Sequence, residues 1–150
     1  MSETAAPAAP VLSTATGSAK HGRRRAARLA LRALQVLLAL FYAVASALPK
    51  LIAYPAAMES FDRIGWGSAG MYAIGALELA GAIALVTPVL QAVAAMALSG
   101  LMVGAFIVQL TVFDGQNAAT PLILMVPLVL IAWARREQNA RLWGLVRGRM

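Results

Sequence analysis

The chain has 150 residues, 61% of them hydrophobic, well above the roughly 45–50% of soluble domains, and its mean hydropathy is +0.74; it reads as a membrane protein. It holds no cysteine, which removes disulfides, iron–sulfur ligation and thiolate zinc sites from its own chemistry. The net charge of +7 is concentrated at the two ends without interleaved aromatic residues, so it points to lipid headgroups and topology rather than to nucleic acid.

Residues 1–22 are rich in Ala, Pro, Ser and Thr and have few large apolar side chains, a composition that predicts a disordered tail. From Arg23 the run RRRAARLALRALQ favours helix and leads into a first span over about Ala33–Tyr54, with Pro49 as a kink near its far end. A connection, MESFDRIGWGS, carries Glu59, Asp62, Arg63 and Trp66. The second span covers about Gly67–Val86 and stops at Thr87-Pro88; the third covers about Val89–Val112. FDGQNAAT forms a polar loop. The fourth span, about Ala118–Ala134, is short at about 25 Å and contains Pro127, which a membrane helix tolerates. Residues 137–150, with Leu142, Trp143, Leu145 and Val146 among arginines, predict a basic amphipathic tail on the membrane surface. The expected fold is an all-α membrane protein, a four-transmembrane-helix bundle over residues 23–136.

All of the 13 Lys/Arg residues except Lys50 and Arg63 lie at the two ends, so the positive-inside rule places both termini in the cytoplasm. An even number of spans requires the same. A second reading of the first block stays open: arginines, an apolar stretch and Ala45-Ser46-Ala47 mimic a secretory signal with a small-residue cleavage site. Removal of residues 1–47 would leave three spans.

Polar residues inside the spans are the candidates for function. Helix one carries Tyr42, Ser46 and Lys50 at i, i+4 and i+8, with Gln35 further along the stripe, a face that should meet protein rather than lipid. In this topology Lys50 lies about 6 Å deep and Glu78 about 15 Å deep, an offset that two long side chains can bridge. Gly75 and Gly81 flank Glu78 on its own face and would let another helix approach closely. A carboxylate there needs a partner or a proton, because an isolated charge at mid-membrane costs on the order of 3 kcal/mol or more. Either a clasp with Lys50, a proton path or a polar ligand pocket meets that need.

Other signals are less specific. Gly100 and Gly104 form a GxxxG motif suited to helix packing or homodimerisation. Gln109 sits near the level of Lys50, and Asp114, Gln116 and Asn117 form a polar mouth. Trp66, Tyr54, Tyr72 and Trp133 suit interfacial aromatic belts. The single histidine, His21, lies outside the apolar blocks, so bis-histidine haem ligation in the membrane is not available. Neither metal-ligand spacing nor a catalytic triad is recognisable, and no cofactor is evident from the residues.

Lys50-Leu51, FDRIGW, YAIGALELAGAIALV and GLMVGAFIVQL, in that order, resemble the DoxX-like small membrane proteins over about Leu38–Arg136. The resemblance implies a four-helix membrane bundle in which Lys50 and Glu78 are recurring polar positions. It also implies a histidine where this chain has Gln109, so a role relying on imidazole is not carried over. The family is named for a subunit associated with a thiosulfate:quinone oxidoreductase, and relatives are linked to oxidative-stress membrane complexes or to redox-enzyme maturation. Activity must be argued from the site rather than from the fold. The expectation is a bacterial inner-membrane scaffold or subunit without independent catalysis, partnered with another membrane or redox protein. The alternative is a redox-linked subunit in which Tyr42, Ser46, Lys50, Glu78 and Gln109 bind quinone or a similar small amphiphile. A small transporter component is a third reading.

Overall fold

The computed structural model describes residues 13–136, with side chains from His21 onward; residues 1–12 and the expected basic tail, 137–150, lie outside the described residues. Helix and turns account for the described chain, with no strand among these residues. The elements in order are α1 (Ser13–Leu40), a π-helical segment (Phe41–Ala47), α2 (Leu48–Leu51), α3 (Pro55–Ile64), α4 (Gly67–Val86), α5 (Gln91–Thr111) and α6 (Ala119–Ala134). Among the described residues three helical stretches are long and apolar enough to cross a membrane: His21–Leu51, Gly67–Val86 and Gln91–Thr111. Ala119–Ala134 is apolar but shorter, at 16 residues or about 24 Å.

Two units divide at Arg32. The described part of the first is the start of α1, whose arginines are exposed and among which Arg28 Nε donates to the Arg24 carbonyl at 3.3 Å. α1 begins at Ser13, inside the stretch whose composition predicts disorder. Alanine and lysine there are good helix formers, and a helix already nucleated downstream propagates at low cost.

In the second unit α4 is the hub, packing on the π segment, α2, α3 and α5, while α5 pairs closely with α6. Small residues make these approaches. A Cβ at Gly81 would sit 2.6 Å from Leu98 Cδ2 on α5, and one at Gly75 would sit 3.0 Å from Lys50 Cβ on α2. The core is built from Met71, Ala82 and Leu85 of α4, Ala92, Ala95 and Leu98 of α5, and Leu128 and Ile131 of α6. Large apolar side chains such as Leu77, Ile83, Ile107 and Ile123 are exposed, as a lipid-facing surface requires.

The first span ends earlier than the expected Tyr54. Pro55 disfavours helical backbone at the preceding residue, and Tyr54 is accordingly extended (φ −60°, ψ 134°). Ala53 takes a left-handed turn at φ 53°. The departure from α geometry also falls before Pro49 rather than at it. Over Phe41–Ala47 the helix widens, and the Leu48 N–H reaches back five residues to the Ala43 carbonyl. Widening there relieves the clash that a proline ring makes with the carbonyl four residues earlier.

The connection read from the sequence as MESFDRIGWGS is largely helical, its first seven residues belonging to α3, which starts at Pro55. Pro55 occupies its first turn, where a missing N–H is harmless, and Gly65 (φ 82°) closes it in the left-handed conformation. That Pro-to-Gly bracket is the signal in the sequence that could have found it.

Candidate functional site

The site is assembled where the first helical rod meets α4. Gly75 lacks the Cβ that would hold α4 away from Lys50 and Leu51, so the two backbones come close enough for side chains one turn on to meet. Lys50 Nζ donates to Glu78 Oε2 at 2.7 Å, an ion pair in which the lysine side chain is 18% exposed and the glutamate 4%. The same nitrogen donates to the Ser46 carbonyl at 2.9 Å and to Ser46 Oγ at 3.2 Å. Lys50 is therefore held from its own helix as well as from α4. A buried pair compensated in this way avoids much of the cost of leaving either charge alone in a low-dielectric interior.

Tyr42, two turns back on the polar stripe, is fully buried, and its hydroxyl has no hydrogen-bond partner among the described residues. Gln35 is also buried. Its Oε1 accepts from an Arg135 terminal nitrogen at 3.5 Å, tying α1 to the end of α6, while its Nε2 has no partner among the described residues. The stripe of Gln35, Tyr42, Ser46 and Lys50 thus faces protein, but it is not one connected network.

Beside the ion pair opens a cavity of about 920 Å³. Ser46, Lys50 and Glu78 lie on one wall, and Gln109 of α5 and Asn117 beyond it contribute further polar groups. The remaining wall is mainly apolar, including Phe41, Ile74, Leu101 and Leu124. Volumes of about 300–1,000 Å³ with apolar walls and a few placed polar groups are those of small-molecule sites. α3 contributes Ser60, Phe61 and Ile64 to the lining, and Arg63 on the same helix lies over the Phe113 ring at 5.3 Å, joining α3 to the loop between α5 and α6.

The sequence profile of the DoxX-like family matches residues 33–131, most of the chain and all of the site. The chain belongs to the DoxX-like family. Neither a curated protein nor a solved structure matches it.

In this DoxX-like chain Tyr42 stands apart, outside the cavity lining, and the other sequence-selected residues fall into three groups. Lys50 contacts both Ser46 and Glu78, and Gly75 and Gly81 stand where α4 meets its neighbours. Gln109 reaches the cavity, yet its Oε1 is buried without a partner among the described residues. At Gly100 and Gly104 nothing among the described residues lies within 4 Å of a Cβ, and both line the cavity. Their smallness enlarges the cavity instead of admitting another helix of this chain. Asn117, read from the sequence as part of a polar mouth, lines the cavity, whereas sequence reasoning missed the contribution of α3 and of Thr120, because neither helical periodicity nor local spacing shows which loops roof a cavity. Among the described residues no group of His, Asp and Glu could hold a metal ion.

Proposed function

We propose that this DoxX-like protein is a membrane-embedded binding subunit that holds a small amphiphile in its cavity and leaves chemical transformation to a partner. The observation that carries this reading is the pairing of a large, mainly apolar cavity with the Lys50–Glu78–Ser46 cluster on its wall. An amphiphile would place its polar end at that cluster and its apolar body against α5 and α6. A quinone-like or other ring-headed lipid and a simple long-chain lipid both have this character, and a redox partner is one use for such a subunit.

The topology that accompanies this function has four spans, with α6 as the short fourth and both termini in the cytoplasm of a bacterial inner membrane. The asymmetry of Lys and Arg supports that orientation. Retention of the first helix is part of the proposal, since cleavage after Ala47 would remove the Ser46 atoms that accept two of the Lys50 hydrogen bonds. An intact mass lacking residues 1–47 would overturn it.

A second reading, a scaffold clasped by Lys50 and Glu78 with no ligand, is favoured by the saturation of Lys50 within the chain. Native mass spectrometry from membranes separates the two. Binding predicts a non-protein mass that survives gentle release and is lost in Gly104→Leu, which grows a side chain into open space beside the cavity. A protein partner with no small molecule would favour the scaffold.

A further inference from the structure

The hydrogen-bonding valence left over in the cluster specifies the headgroup, an inference that rests on the amphiphile-binding reading above. A lysine ammonium has three donors and no acceptor. Those of Lys50 are directed at the Ser46 carbonyl, Ser46 Oγ and Glu78 Oε2, so the one cation among the cavity-lining residues has no donor to spare. Despite its lysine, the pocket is not built for an anion, and the Glu78 carboxylate would repel one.

Two groups on the same wall do have capacity. Lys50 engages Oε2 of Glu78, and no donor among the described residues reaches Oε1. Ser46 Oγ accepts from Lys50, and its own proton is not donated to a carbonyl among the described residues. In that it differs from Ser60, Thr87, Ser99 and Thr111, each of which donates to the carbonyl four residues earlier. The pocket therefore offers one strong, charged acceptor and, within reach of the same ammonium, one donor.

We propose that the headgroup is a neutral hydroxyl, an alcohol or a phenol, whose O–H donates to Glu78 Oε1 while its oxygen accepts from Ser46 Oγ. A ketone or an ether can accept from Ser46 but leaves Glu78 unmet. A carboxylate or phosphate meets the glutamate charge at close range. Sites built to hydrogen-bond a ligand group reject analogues lacking it, because the buried partner is then left unpaired.

The test uses para-nonylphenol, its methyl ether and para-nonylbenzoate with the full chain in neutral-lipid nanodiscs. Trp66 lines the cavity, so Trp133→Phe and Trp143→Phe leave it as the reporting indole of the three tryptophans. The phenol should quench Trp66 saturably and bind about tenfold more tightly than the ether, with the benzoate weaker than the phenol. In Glu78→Gln, checked for retained helicity, the preference for phenol over ether should fall below about threefold. An ether that binds as well as the phenol, a benzoate that binds best, or a preference unchanged in a folded Glu78→Gln protein would overturn the headgroup assignment while leaving amphiphile binding intact. Saturable binding by none of the three would overturn both. Should Glu78→Gln fail to fold, the comparison of the three probes on the otherwise unaltered cavity still decides.

Discussion

The Lys50–Glu78 pair makes an asymmetric prediction. In Lys50→Met, Glu78 loses its partner while its side chain remains 4% exposed, and orphaning a buried charge costs about 3–5 kcal/mol. In Glu78→Leu, Lys50 loses one bond but keeps two to Ser46, and at 18% exposure it can extend its head toward water. That variant should lose only about 1–2 kcal/mol. The double variant leaves no orphan and puts apolar groups of similar volume in place of the pair, which is often close to neutral. Its stability should return to within about 1 kcal/mol of the original, for a coupling energy of at least about 3 kcal/mol. Reversible unfolding in bicelles, followed by helicity, measures all four corners of the cycle. Additive single effects, or a Glu78→Leu variant weaker than Lys50→Met, would refute the claim that a desolvated pair clasps α4 to the first helix.

Glycine substitutions should divide by environment. Gly75→Ala sets a Cβ 3.0 Å from Lys50 Cβ, next to backbone that cannot rotate aside, and should lose about 1 kcal/mol, whereas Gly100→Ala meets nothing within 4 Å and should gain about 0.5–1 kcal/mol; the same unfolding assay compares them. Tyr42→Phe removes a buried hydroxyl that has no partner among the described residues, so stability should hold or rise by up to about 1 kcal/mol, and a loss larger than that would mean the hydroxyl is bonded in the membrane. Ala53→Gly should stabilise by about 1 kcal/mol, because φ 53° costs an alanine what it does not cost a glycine; an unchanged midpoint would remove the strain argument.

The apolar blocks were legible because membrane spans are defined by composition over a whole window. The helix Gly67–Val86 has the bounds read for the second apolar block, and the helices of the third and of the shorter fourth block shift by a residue or two at their ends. α3 was not legible by the same means. Its residues are of mixed polarity, and Glu59, Asp62 and Arg63 resemble a loop unless Pro55 and Gly65 are read as its start and stop. The π segment has no compositional mark beyond the downstream Pro49, since a one-residue change in hydrogen-bond reach is a backbone event.

The site divides along the same line. Lys50 and Glu78 could be paired from sequence because each is the one charge in its apolar surroundings, and a charge in hydrocarbon has few ways to be satisfied. The Ser46 contacts followed from helical spacing. The cavity did not, for empty space is set by which residues fail to touch, and a GxxxG motif is spelled the same whether it admits a helix or borders a void. Gly100 and Gly104 border one. Once those glycines are read as absent volume, the ion pair changes in meaning. The contact that fastens α4 to the first helix also ties up the ammonium and leaves one carboxylate oxygen unclaimed at the cavity wall. Structural closure and headgroup chemistry are then two consequences of one hydrogen-bonding arrangement.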